Sequence, residues 1–169
     1  KSSKKMTYFK DYNNTIDTLK QLGLNHYQIQ TVESGDIYEM DLEKNTMYPL
    51  MFINPINAIA GTHEMTLNFQ VFIMDLVFPD QDNEQEVLSD CLQICNDLIG
   101  TFKNGESLLL SNQGVNAIPK YFTDGDITIE PFTERFDNSV TGWVFTLPII
   151  IENDYNTCIA PQLTTDAIH

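Results

Sequence analysis

The run from Tyr48 to Phe102 limits the possible folds more than any other part of this chain. It begins with an apolar stretch, Tyr48-Pro-Leu-Met-Phe-Ile53, that has no polar alternate positions. A strand of that kind must be buried on both faces. Met65 to Val77 follows, with Met65, Leu67, Phe69, Val71 and Ile73 alternating against Thr66, Asn68, Gln70, Phe72 and Met74. Period two marks a strand, and the switch to apolar residues at Phe72 predicts cover on both faces over its last third. Pro79-Asp-Gln-Asp82 then turns the chain into an amphipathic helix over Glu84–Phe102. Its apolar stripe is Val87, Leu88, Cys91, Leu92, Cys95, Leu98, Ile99 and Phe102. Asp82 with Gln85 three residues on has the form of a capping box, and Glu84 and Glu86 suit the positive end of the helix dipole. Two strands and a helix in this order describe a small sheet with a helix laid across it.

The flanking segments extend that scheme. Phe9, Tyr12, Ile16, Leu19 and Leu22 recur at helical spacing over Thr7 to Leu22, and Gly23 stands where a helix-ending glycine belongs. Tyr27 to Val32 reads as a short strand, with a turn at Glu33-Ser-Gly-Asp36. Asn54 to His63 reads as a connecting loop, punctuated by Asn-Pro and Gly-Thr but unusually apolar. Asp126–Phe136 and Thr141–Ile151 read as two strands joined through Asp137-Asn-Ser139. In the second, Trp143, Phe145, Leu147, Ile149 and Ile151 share a face, and Pro148 suggests an edge or a bulge. Leu108-Leu-Leu110 is a short apolar run between two glycines. The expected fold is α+β: an antiparallel sheet of about four to five strands, one long helix across it and an additional N-terminal helix. Residues 1–152 form one domain with a basic arm at 1–6, and 153–169 form a polar tail.

Charge excludes some functions. The 169 residues carry a net charge of −15, yet residues 1–20 hold five lysines and two aspartates. Residues 21–169 therefore hold four basic residues against 22 acidic ones. Such a body repels phosphate backbones and does not wrap or read DNA, although repulsion would keep a transiting polyanion mobile. No apolar run approaches the roughly 20 residues of a membrane-spanning helix, so no membrane partner is expected. Three cysteines without framework spacing argue against a disulfide scaffold and fit a reducing cytoplasm of synthesis.

No catalytic or cofactor constellation emerges. Cys91 and Cys95 share a helix face and could begin a zinc site, but they lie within the apolar stripe and lack partner ligands. Thr62-His-Glu64 lacks the second histidine of a zinc-protease motif. Asp80, Asp82, Glu84 and Glu86 offer oxygens to calcium, but the loop lacks the required glycine, and capping already accounts for these carboxylates. No serine elbow or phosphate-binding glycine loop is present. The site expectations are thus no catalytic residue, no metal and no cofactor, with any small hydrolase left to an unrecognised carboxylate pair.

The order of elements and three segments carry a resemblance. Tyr48–Ile53, the strand Met65–Val77 running through PDQDNEQE into the helix, and the hairpin with Thr141-Gly-Trp-Val-Phe145 resemble the tail-terminator (tail-completion) family of tailed bacteriophages and its related neck rings. The resemblance spans residues 7–151. It implies a homo-oligomeric ring, often of six subunits, in the virion at the head–tail junction or tail end. The partners it implies are copies of the chain and neighbouring neck or tail proteins, with DNA only as passing cargo. The acidity and the C-terminal tail suit a specialised ring of a short-tailed, crAss-like phage. The apolar segments supply the candidate subunit interface: Pro55, Ile56 and Ile59, with Leu108, Leu109 and Leu110. The alternative is a carbohydrate- or receptor-binding module of a tail fibre, with Trp143, Tyr121 and Tyr155 as a sugar-stacking platform.

Overall fold

The computed structural model describes residues 11–40, 46–78, 80, 82–104, 121–132 and 140–152. The elements run α1 (Asp11–Asn25), β1 (Thr31–Ser34), a 3-10 turn at Ile37–Glu39, β2 (Leu50–Ala60), β3 (Glu64–Leu76), α2 (Glu84–Asn104), β4 (Ile129–Phe132) and β5 (Val140–Glu152). The five strands form one mixed sheet in the order β1-β2-β3-β5-β4. β1 is parallel to β2, and every other pairing is antiparallel. This is the α+β scheme that the alternation of β3 and the stripe of α2 imply.

β3 is the spine of the sheet. It pairs with β5 over its full length, from Glu64↔Glu152 to Leu76↔Val140. Its odd residues Leu67, Phe69, Val71 and Ile73 face the helices and join Met51, Ile53, Phe145, Leu147, Ile149 and Ile151 in the main core. The even residues Phe72 and Met74 face the other way. There they form a second, smaller core with Leu50, Phe52 and Val140, covered by Ile37, Met40, Tyr48 and Phe132. Two-sided burial of Tyr48–Ile53 and of the end of β3 is therefore realised over the half of the sheet that holds β1 and β4.

α2 lies across β5 and β3. Its buried residues are Val87, Cys91, Ile94, Cys95, Leu98 and Phe102. Ile94, fully buried, replaces Leu92, which is 38% exposed. The stripe is set by the i, i+4, i+7 row through Val87, Cys91 and Ile94, and Leu92 falls just off it. Each large side chain buried here stabilises the fold by roughly 1.5–3 kcal/mol.

Several expectations change. α1 continues to Asn25, so Gly23 does not end it. A Cβ at Gly23 would strike the Met51 sulfur and Val32, so this glycine lets the helix lie close on the sheet. The first strand starts at Thr31, not Tyr27, whose ring is 83% exposed and stacks on His26. The boundary of α2 falls one residue after Asp82: Val87 N–H donates to Asn83 O at 2.9 Å, which makes Asn83 the boundary residue. The Asn83 side chain ties the helix start back to β3, accepting from Phe78 N–H (2.7 Å) and donating to Leu76 O (3.2 Å). β4 begins at Ile129 rather than Asp126. Pro148 sits opposite Asn68 in an unbroken β3 ladder, so it marks no bulge. β4 pairs only with Gly142–Phe145, so among the described residues Pro148 lies on an edge stretch of β5, one of the two positions the sequence suggests. Ile150 exchanges both backbone hydrogen bonds with Phe122, so even residues of β5 turn away from β3. The N–H that Pro148 lacks would thus point to the flank between β4 and Phe122, where the β3 ladder loses nothing.

The largest change is at Asn54–His63. The chain does not leave the sheet at Asn54, because β2 runs on to Ala60 and pairs with β3 as far as Ala60↔Met65. The register shifts between Pro55 and Asn57, placing one extra residue, Ile56, in β2. That bulge breaks period two, which is why the segment reads as a loop.

Candidate functional site

The extended part of β2 has no strand on its outer side among the described residues. β1 pairs only with Leu50–Ile53. Gly35 N–H donates to Ile53 O at 3.0 Å, and there the β1 ladder stops. The burial of β2 changes at the same place, from buried at Leu50–Ile53 to exposed at Pro55–Ala60. Ile56 is 47% and Ile59 56% exposed.

Backbone alternation identifies the groups this edge offers. Gly61 N–H donates to Glu64 O at 2.7 Å, so residue 61 faces β3, and by alternation Asn57 and Ile59 face β3 as well. Ala58 and Ala60 consequently turn N–H and C=O outward. Pro55 lies on the outward phase set by Ile53 and has a carbonyl but no donor. None of the chain's 24 acidic or nine basic residues falls between Asn54 and His63. The side chains on the uncovered face are joined across the hairpin by Asn57 with Asn68 (2.8 Å) and Asn54 with Gln70 (3.1 Å). These bonds fix the register of a hairpin end that little else holds.

A groove runs along this edge on the helix side. About 390 Å³ lies between Tyr12, Asn13 and Ile16 of α1 and Ser34, Gly35 and Pro55. A smaller recess, which shares Tyr12 and Pro55 as lining, lies over Ala58, Leu67 and Phe69. The Tyr12 ring, 44% exposed, lies 6.0 Å from that of Phe69. A position next to β2 is thus open along its edge while α1 still lies above it.

The candidate interface residues Pro55, Ile56 and Ile59 come together on this edge, on a strand instead of a loop. Leu108, Leu109 and Leu110 lie outside the described residues. Sequence reasoning missed Tyr12, Ala58 and Ala60. Tyr12 was assigned to the apolar stripe of α1, and the outward backbone of the two alanines becomes visible only once the segment is known to be a strand.

Of the suggested sugar-stacking platform, Trp143 and Tyr121 are engaged in the core. Trp143 packs against the main core, and its Nε1–H donates to Leu88 O at 2.7 Å. Tyr121 is 3% exposed, and Tyr155 lies outside the described residues. Burial pushes the Cys91 thiol up to about 12, with Asp75 and Asp90 adding to the shift, and burial raises Cys95 further. Both are held as inert thiols. Asp75 is raised by burial, partly offset by Leu76 N–H donating to its Oδ1 at 2.7 Å, with Asp90 adding to the rise. Gln28 N–H donates to His26 Nδ1 (3.2 Å), so Nε2 carries the proton that reaches Asp97 Oδ2 (3.0 Å). The pair fastens the turn after α1 to α2. In the turn before α2, Asp80 Oδ1 accepts from Asp82 N–H at 3.1 Å. Among the described residues, no group of three His, Cys, Asp or Glu side chains is placed to hold a metal ion. No described helix is long and apolar enough to cross a membrane.

No protein-family model matches this chain, and no curated protein matches its sequence.

Proposed function

We propose that this chain is a non-enzymatic structural subunit of a bacteriophage virion, a tail terminator or related neck ring that assembles with copies of itself at the head–tail junction or tail end. The observation that carries the reading is the edge Asn54–Ala60, where exposed Pro55, Ile56 and Ile59 occupy a charge-free strand on a strongly acidic protein. Apolar surface of this kind marks a contact site. Copies carrying −15 each repel one another, and contact costs least where no charge sits. The acidic remainder suits a bore through which DNA slides without binding, and neighbouring neck or tail proteins would stack on the ring faces. Electron microscopy of the purified protein, alone and mixed with candidate tube or neck proteins, tests the proposal. Closed rings of one size are expected. A protein that stays monomeric with every candidate partner would overturn it.

A further inference from the structure

We propose that the open edge of β2 is completed by β4 of a second copy, so that one sheet continues from subunit to subunit through main-chain hydrogen bonds. The inference rests on the ring reading and specifies how the ring is joined.

The receiving side is the slot described above. Ala58 and Ala60 present both donor and acceptor outward, Pro55 presents an acceptor, and α1 overhangs the slot with Tyr12 and Ile16. Seven residues of β2 offer roughly 23 Å of edge at ~3.3 Å per residue. Free backbone groups along such a length are a template for another strand unless charge or cover protects them. Here only Pro55 and the bulge at Ile56 interrupt it, and both lie at the end nearest β1.

The donating side is the opposite edge of the same sheet. Even residues of β5 turn toward β4, as the Phe122–Ile150 bonds show, so Glu130 and Phe132 bond inward to Val144 and Gly142. Ile129 and Pro131 therefore turn their backbones outward, giving one donor and two acceptors. No described strand lies beyond β4. The flank of β5 is a poorer donor, because Pro148 lacks an N–H and Phe122 occupies Ile150. β4 carries one charge, Glu130, which is exposed on the sheet face opposite the helices, the face it shares with Val144, away from the seam. Its four residues fit within the seven of the slot.

The identity of the partner follows from symmetry as well as charge. Opposite edges of one sheet are different surfaces, so joining them is a heterologous contact, the kind that closes a ring by rotation. A two-fold pairing of β2 with β2 would stop at a dimer. The slot and β4 also lie at different levels along the strands. β4 sits beside Gly142–Phe145, whereas the slot lies level with Met65–Gln70. Pairing them staggers successive subunits, as closure of a sheet into a barrel requires.

Hydrogen exchange of the full chain, read across a dilution series alongside mass by light scattering, tests the proposal. Exchange at Ala58 and Ala60 should slow by about tenfold or more in the assembly relative to the dilute monomer. A second measurement mixes an Ile59→Cys variant with a Glu130→Cys variant, both in a Cys158→Ser background, and adds a short bis-maleimide. Both positions are exposed on the sheet face opposite the helices, so cross-links should form between the two variants and not within either alone. An assembly in which these amides exchange as fast as in the monomer, or in which the mixed cross-link fails, overturns the β2–β4 seam and leaves the ring standing. Amides already slow in dilute monomer show that the slot is filled within one chain, which overturns the seam. A mass that stays monomeric at every concentration, alone and with every candidate tube or neck protein, overturns the seam and the ring reading together.

Discussion

The two halves of the β2–β3–β5 sheet differ in what completes them. In the half with β1 and β4, both faces are covered and Leu50, Ile53, Ile73 and Met74 are fully buried. In the half with the β2–β3 hairpin end, α2 and Tyr121 still cover β5 on one side, but β2 has an open edge and its other face is a row of amides and exposed isoleucine. The same strands serve both halves, so strand propensity cannot explain the difference. Burial acts on both faces of the first half; in the second it acts only on the helix side of β3 and β5, and the end of β2 is held mainly by its ladder to β3. That division separates residues that make the fold from residues free to make contacts.

Mutations can break or sharpen this contrast. The largest effect is expected in the covered half at Gly142, where a Cβ would run into the backbone of Ile73 and Met74. Gly142→Ala should cost more than about 4 kcal/mol, the range reached by severe backbone conflict, and should show as loss of cooperative unfolding in a denaturant titration. Phe102→Ala, which empties a site 1% exposed beneath α2, should cost about 3–5 kcal/mol by the same measurement. Trp143→Phe keeps most of the apolar packing and removes the bond to Leu88 O. It should cost about 1 kcal/mol, the usual net value of one such bond.

Asp75 gives a pH test with a definite sign. Its carboxyl is raised in the folded state, chiefly by burial, with Asp90 adding to it. The native state therefore holds that proton more tightly than the unfolded chain. Stability is lost as pH rises from the unfolded value of about 3.9 through the folded one. Asp75→Asn should raise the melting temperature at neutral pH, and the gain should vanish below pH ~4, where both states are protonated. A gain independent of pH would show that the carboxylate charge is not the cause. In the open half, Ile59→Asp should change monomer stability by no more than about 0.5 kcal/mol.

The sequence was informative where burial imposes a period. β3 alternates because its odd face is buried over most of its length, and α2 shows its stripe because one face meets the sheet. Ile94 escaped because a row of apolar residues as wide as Leu88–Cys95 does not show which of its members points straight down. The far half of β2 escaped for a physical reason too. Neither face of Pro55–Ala60 is buried, so no period is imposed, and the bulge shifts whatever alternation remains. Asn-Pro and Gly-Thr, the residues of a turn, serve here at a bulge and at a hairpin tip. Pro55, Ile56 and Ile59 still stood out because they are apolar without a core to enter. The slot beside them depends on β1 ending at Ser34 while β2 continues, a tertiary fact that no local pattern encodes.

The most direct test of the division between a half that folds and a half that binds is sedimentation velocity on the full chain and its Ile59→Asp variant, at matched concentrations and with far-UV circular dichroism as a check on folding. The wild type should sediment as one closed multi-subunit species, and the equally folded variant should shift to the monomer. An intact variant assembly, or a wild-type protein that never leaves the monomer boundary, would contradict the account.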